Sequence, residues 1–545
     1  MRAVALAATA SLTAVVVIAS AACGAFSGDE QGDPVSPIAA VDGGDGGEGA
    51  PPVGGPAASS FVVKIQGASP VELTRGKRVD VIVEVERRNE FRGEVVISVV
   101  DLPSGVAAES LTILAGETAG ALGLTATAAV PHGLASPVLR ASDPKNEVVS
   151  SDTKFDLLLR GPPGTLDESF GAKGVVERPL GGARFSAMAS QADGKLAYAG
   201  SGGGTPNIVV GRLQANGTTD AAFGTQGTGR FAFGAGADEA VAVLSQPDGK
   251  IVVVGSAVNE TKVGLLRLSA TTGTLDPSFA VTGKTVLGTD LVTLAARLAD
   301  DGSIFVLGRT SIFDLAVGKV LPSGALDLTF GTSGWVAIPF TSYPTALRLT
   351  GYDIAVSPTS VVISCVVGRA QGADFRIGLA TMTRSGQGTP IFGQTTVANI
   401  SQYSIPLVLR GDGAAVVAFN NIAVAEQMTL YRFLPGGQAQ DPNFGGGSPV
   451  VAPANDVPQS MVEDDTNRLL LAVQAYVPPT KFRLLRRVPT GGPDPAFGVA
   501  GLSETLIGDE SLSKSVVLQK DRRILVGGDR TTAAVPALAI VRYWP

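Results

Sequence analysis

One phrase returns along the second two-thirds of this 545-residue chain. It reads Leu166-Asp167-Glu168-Ser169-Phe170-Gly171, Thr219-Asp220-Ala221-Ala222-Phe223-Gly224, Leu275-Asp276-Pro277-Ser278-Phe279, Leu326-Asp327-Leu328-Thr329-Phe330-Gly331, Gln440-Asp441-Pro442-Asn443-Phe444-Gly445 and Pro493-Asp494-Pro495-Ala496-Phe497-Gly498, with a worn copy at Thr389-Pro390-Ile391-Phe392-Gly393. The phenylalanines at 170, 223, 279, 330, 392, 444 and 497 are spaced by 53, 56, 51, 62, 52 and 53 residues. A period of this size marks a modular fold, and residues 162–545 are in any case too many for a single hydrophobic core.

Within each period the pattern is an apolar run, a tight turn and another apolar run. The turns are Gln191-Ala192-Asp193-Gly194-Lys195, Gln246-Pro247-Asp248-Gly249-Lys250, Asp300-Asp301-Gly302-Ser303 and Gly411-Asp412-Gly413. Asp-Gly between β-rich runs is a strong hairpin signal, and a type I′ turn needs positive φ at both central residues. A third run, such as Ile208–Leu213, leads into the next Asp-x-x-Phe-Gly, and a short segment after it makes a fourth strand. Four strands of about six residues with short connections fill the period. A lone four-stranded sheet leaves both faces and both edges open to water, and radial stacking covers them, so the expected fold is all-β with a seven-bladed β-propeller over 162–545. These phrases resemble the delta-60 repeat family across that whole region. The resemblance implies a propeller in an exported or surface protein of bacteria, and no shared active site.

Arg212, Arg267, Lys319, Arg432 and Arg486 precede Asp220, Asp276, Asp327, Asp441 and Asp494 by eight or nine residues. In the fifth copy both positions become threonine, Thr381 and Thr389. Two readings stand open: an Arg–Asp contact bracing each turn, or an outward Arg beside an Asp that caps its own turn. Asp167 opens the series without its Arg, and Arg542 closes it without its Asp. Closure of the ring would bring the two together and pair Leu538–Tyr543 with Gly174–Arg178.

Residues 61–161 alternate with period two, most clearly in Arg78–Glu86, where Val79, Val81, Val83 and Val85 share a face. Turn signals at short intervals and no helical periodicity predict a β-sandwich. The segment from Leu102-Pro103-Ser104-Gly105-Val106 to Ala115-Gly116 resembles Ig-like modules of bacterial surface proteins, which implies a spacer role. His132, in Val130-Pro131-His132-Gly133, reads as a solvated turn residue.

Residues 1–22 begin Met-Arg and run on through Ala and Val to Ser20-Ala21-Ala22-Cys23. This resembles a secretory signal ending in a lipobox, which implies lipid attachment at Cys23. Ser20 stands where Leu is usual, and an ordinary signal cut after Ala21 or Ala22, or an uncleaved apolar anchor, are the other readings. Residues 23–60 are then a lipidated Cys and an acidic Gly/Pro/Ser tether, whose 37 residues after Cys23 would span roughly 30 to 35 Å as a flexible coil. The expected location is the bacterial outer membrane or cell surface, with a secreted or periplasmic protein as the alternative. The membrane is then reached through the N-terminal lipid only.

The chemistry is thin. One His excludes any multi-histidine metal site, and Cys365 sits in the apolar run Val361–Val367, where a small buried hydrophobe is the default. With the tether acids and Arg2 set aside, 43 acidic residues face 41 basic ones, so no uncompensated basic surface marks the chain for nucleic acid. No cofactor and no metal are implied. Glu463-Asp464-Asp465 is the densest acidic cluster of the folded part and reads as a hairpin turn. The longest period holds Trp335, Phe340, Tyr343 and Tyr352, in a chain that is only 6% aromatic. Such residues anchor interfaces and sugars, although an insertion can also pack its own aromatics. The expectation is a lipid-anchored surface protein presenting its propeller as a binding or scaffolding platform to a protein or glycan at the cell envelope, without catalysis. The alternative is a carbohydrate-active enzyme working through propeller carboxylates.

Overall fold

A computed structural model describes residues 60–234, 236–257, 261–310, 314–338, 348–368, 375–387, 391–396, 400–401, 404–421, 427–447, 450–454, 456–475, 478–532 and 535–545. It divides them into two compact units, one ending at Arg160 and one running from Gly161 to Pro545. Regular structure among the described residues is β apart from a short 3-10 turn at Phe444–Gly447.

The first unit holds a sheet ordered Ser60–Ile65, Arg78–Arg88, Ala119–Ala126, Val106–Ala108, and a second ordered Asn146–Lys154, Val138–Asp143, Val95–Val100, Leu111–Ile113. A small third sheet joins Val71–Thr74, Leu157–Arg160 and Gly133–Ala135. Period two does what it should: Val81, Val83 and Val85 enter a core with Phe61, Ile97, Leu122 and Leu139, while Arg78, Asp80 and Ile82 face water. His132 differs from expectation. It is half-buried, with Nε2 2.9 Å from Nη1 of Arg75. Since guanidinium can only donate, Nε2 accepts, which fixes the neutral ring.

Among the described residues the second unit contains seven sheets. The first runs Ala183–Ser190, Leu196–Gly202, Ile208–Leu213, Thr228–Phe231 from its inner to its outer strand, and the next five begin at Glu239, Val292, Arg348, Ile400 and Asp456. The seventh joins Glu510–Leu518, Ile524–Thr532 and Val535–Tyr543 to Val175–Arg178, the earliest strand of the unit, with Arg178 opposite Leu538. Successive sheets touch through their inner strands, and Glu510–Leu518 returns to touch Ala183–Ser190. Because a neighbour covers each face, the second strands are mostly buried, and Ile251–Ala257 is buried along its whole length. That is why these runs are continuously apolar where the first unit alternates.

Two features differ from the sequence reading. The Asp-Gly hairpins form, yet only the glycine is left-handed, with φ near +80° at Gly194, Gly249, Gly302 and Gly413. Asp193 instead caps the turn by accepting from Lys195 N at 3.1 Å, so these are type I turns followed by a left-handed residue. In addition, the inner strands of six sheets carry a bulge at one position, the skipped residues being Ser186, Val241, Leu294, Tyr352, Gln459 and Lys514. The extra twist this gives an inner strand suits close approach near the middle.

Candidate functional site

The repeated cation and aspartate meet in every copy that has both. Distances are 2.7 Å for Arg212–Asp220, 2.8 Å for Arg267–Asp276, 2.9 Å for Lys319–Asp327, 2.5 Å for Arg432–Asp441, 2.8 Å for Arg486–Asp494 and 2.8 Å for Arg542–Asp167. The two readings left open by the sequence turn out to be compatible. One carboxylate oxygen takes the cation, while the other accepts the backbone N–H two residues on, as in Ser278 N to Asp276 at 3.0 Å and Ala496 N to Asp494 at 3.0 Å. The guanidinium also lies over the motif phenylalanine, 4.4–4.8 Å from the centroids of Phe223, Phe279, Phe497 and Phe170. It then donates onward to the next sheet: Arg212 to Thr271 O at 3.3 Å, Arg267 to Pro322 O at 2.8 Å. These contacts brace each turn and tie neighbouring sheets together.

The two described members of the aromatic set lie in different sheets. Trp335 opens an outer strand and packs its ring where a side chain on Gly318 would be, whereas Tyr352 occupies the bulge of an inner strand and is 7% exposed. Burial pushes the Tyr352 hydroxyl well above its usual range. Phe340 and Tyr343 lie outside the described residues, as does Cys23. Cys365 is fully buried and its thiol is pushed up to about 12 by burial, which makes it inert. In the acidic cluster, Glu463 meets Arg410 at 2.8 Å and Asp464 meets Arg468 at 2.7 Å. Asp465 pairs with Arg522 at 2.7 Å, so all three brace turns. Among the described residues no group of His, Cys, Asp or Glu could hold a metal ion.

The arrangement with chemical potential lies elsewhere. Asp456 opens the inner strand of the sixth sheet and is completely buried. Its Oδ1 accepts from Nη1 of Arg483, whose Nε lies 3.1 Å from Oε1 of Glu504 in the outer strand. Glu504 is also 3.2 Å from Nζ of Lys481. Oδ2 of Asp456 makes no hydrogen bond among the described residues. Burial pushes this carboxyl up to about 6, the nearby Glu504 charge adds to the rise, and the Arg483 and Arg487 cations oppose it. A guanidinium thus joins a buried carboxyl of raised proton affinity with a second carboxylate at an exposed position. Sequence reading missed Asp456, though a signal existed. Counted back from its hairpin, Asp456 aligns with Asp238 of the second sheet, which caps its own turn by accepting from Phe233 N at 2.8 Å.

A second buried pair, Arg297–Asp353 at 2.7 Å, crosses from the third sheet to the fourth. Asp353 accepts in turn from Leu407 N of the fifth sheet at 3.0 Å. Both its oxygens are occupied, which makes it a tie between three inner strands.

Residues 191–223, 246–279 and 519–545 match the model of a family described as a domain of unknown function (DUF5122) β-propeller. No curated relative matches the sequence. Similar solved structures include an exo-1,5-α-L-arabinanase from a bovine ruminal metagenomic library, with 11% identity and TM-score 0.27 over 45% of this chain and 90% of that one. Another is an endo-1,4-β-xylanase from Bacteroides thetaiotaomicron, with 10% identity and TM-score 0.27 over 48% and 91%. A third is a bifunctional GH43-CE protein of Bacteroides eggerthii, with 10% identity and TM-score 0.27 over 70% and 52%, so that this chain spans about half its length. The expectation of a presenting platform without catalysis is set against these neighbours, which are enzymes by name, and is not kept; the carbohydrate-active alternative is taken up below as a proposal. At such scores they say nothing about individual residues, and the residues for that reading come from the geometry above.

Proposed function

We propose that the protein is a carbohydrate-active enzyme that cleaves glycosidic bonds with Asp456 and Glu504. The reading is carried by one observation: a buried aspartic acid poised near pH 6, with one oxygen uncommitted, joined through Arg483 to a second carboxylate. Glycoside cleavage asks for two carboxyl groups in opposite protonation states. In this scheme substrate binding must first uncover Asp456, which has no exposure in the free protein; Asp456 then gives its proton to the leaving glycosidic oxygen as the bond to the anomeric carbon breaks. Glu504 takes a proton from the water whose oxygen forms the new bond to that carbon. Arg483 bridges the two carboxyl groups. The test is release of reducing ends from a panel of arabinans, xylans and uronate-containing polysaccharides, compared with Asp456→Asn and Glu504→Gln. Each substitution should cost on the order of a hundredfold or more in turnover. Wild-type protein inert on the whole panel, or variants as active as wild type, would remove the reading.

The setting we propose for this site is a seven-bladed propeller of delta-60 type, supported by seven sheets in sequential contact. Before it would stand an Ig-like sandwich, supported by two facing four-stranded sheets over one core. The chain would be exported, held to the outer membrane or cell surface by a lipid on Cys23 and a flexible acidic tether, and would meet its glycan or protein partner at the envelope. Metabolic labelling with a fatty-acid analogue should mark the wild type and spare Cys23→Ala.

A further inference from the structure

The sheets of the second unit are joined at their outer halves by one repeated device. In five sheets a glycine at the end of the third strand sits against the motif phenylalanine of the preceding sheet: Gly217 on Phe170, Gly273 on Phe223, Gly324 on Phe279, Gly386 on Phe330 and Gly491 on Phe444. A Cβ at any of these glycines would fall 2.5–3.0 Å from ring carbons. Backbone bonds run beside them, Gly171 N to Asn216 O at 2.8 Å, Gly224 N to Thr272 O at 2.7 Å and Gly445 N to Thr490 O at 2.9 Å.

The fourth sheet keeps its glycine, Gly386, but has lost the Asp-x-x-Phe half of the device. In the first sheet the connection runs ten positions from Gly217 to Gly227, whose carbonyl receives Arg212 N. In the fourth, only five positions separate Gly386 from Ile391, the residue opposite Thr381. The Asp-x-x-Phe turn has been deleted rather than worn, and Phe392 belongs to the outer strand Ile391–Thr396. The corresponding glycine of the fifth sheet, Gly437, therefore faces Leu379 and Thr381 in place of a phenylalanine. The buried hydroxyl of Thr381 makes no hydrogen bond among the described residues.

Meanwhile the inner half of this seam is well tied, by Leu407 N to Asp353 at 3.0 Å and Ser364 Oγ to Ile405 O at 2.7 Å. The fourth sheet also leans the other way. Arg384 reaches back to the third sheet, pairing with Asp300 and, at 2.8 Å, with Asp301.

We infer that the unit is built to open at one place, the outer half of the seam between the fourth and fifth sheets, with the inner strands as the hinge. The seam lacks a charge-assisted brace and an aromatic knob that the other outer seams share, so local opening there requires breaking less. Native-state hydrogen exchange on the full chain tests this. Amides of Phe375–Thr383, of Ile391–Thr396 and of the turn at 434–437 should exchange roughly ten- to hundredfold faster than their counterparts in the first and second sheets. Grafting residues 216–226 in place of 385–390, which keeps Arg384, together with Thr381→Arg, should slow exchange at this seam and leave the other seams unchanged. Equal protection at all seams, or fastest opening at a different one, would overturn the inference. So would a correctly folded graft that leaves exchange at this seam unaltered.

Discussion

Asp276 and Asp456 are both buried beside arginine, and their protons respond in opposite directions. Burial pushes the Asp276 carboxyl up, but hydrogen bonds from Ser278, with Lys250 and Arg267 close by, bring it down to about 2. A carboxyl held below its unfolded value stabilises the fold above about pH 4 and loses that contribution as pH falls toward 2. Asp456, raised to about 6 chiefly by burial, contributes fully below about pH 4 and loses its contribution as pH rises toward 6. Urea titrations from pH 3 to pH 7 should therefore show Asp456→Asn removing a fall in stability between about 4 and about 6. Asp276→Asn should flatten the acid limb below about 4. Asp167 is the more severe case. Arg542 at 2.8 Å and Arg523 at 3.0 Å both lean on a carboxylate with no exposure, and Asp167→Asn leaves two cations on a neutral amide. The expected cost is about 3 to 5 kcal/mol, read as a lower urea midpoint at unchanged slope.

Strands and turns carry the next layer of specification. In the second and seventh sheets the carbonyl two residues before the bulge comes close to the second strand, so that a Cβ on Gly255 would lie 1.9 Å from Glu239 O and one on Gly528 1.9 Å from Leu512 O. Gly255→Ala should cost about 1 to 3 kcal/mol, through overpacking that backbone cannot relieve. One residue further on, Ser256 accepts from Thr293 N of the next sheet at 3.0 Å, and Ser201 does the same for Ala240 N at 2.8 Å. Ser256→Ala leaves a buried N–H unpaired, for about 1 to 3 kcal/mol. Thermal unfolding of the two variants, with Ser256→Thr as the conservative control, checks both numbers. These elements also explain the limits of reading the chain alone. Hairpins, apolar runs and the Asp-x-x-Phe-Gly turns were visible as local patterns, because each is fixed by residues a few positions apart. The bulges were not, since an extra residue in one strand is defined only against its partner. The deleted turn of the fourth sheet was misread as a worn motif because a phenylalanine and a glycine happened to stand near the expected spacing.

At the scale of the molecule, the last sheet is completed by the first strand of the unit, Val175–Arg178 against Leu538–Val541. Closure therefore joins positions more than 350 residues apart, and its loss should be felt throughout the unit. A chain beginning at residue 180 lacks that strand and Asp167 together. It should unfold at lower urea and over a broader range than one beginning at 161, measured by near-ultraviolet circular dichroism; equal midpoints would show that closure contributes nothing. The sequence by itself determined the all-β class, the number of repeats to within one altered copy, and the charge pairs that recur in them, because repetition writes the same local physics many times over. Only the tertiary structure decided which carboxyl has its proton affinity raised. Asp456 and Glu504 are separated by 47 intervening residues and are brought to one guanidinium by sheet pairing, and burial, which sets the proton affinity of Asp456, belongs to the assembled sheets and to no segment of the chain.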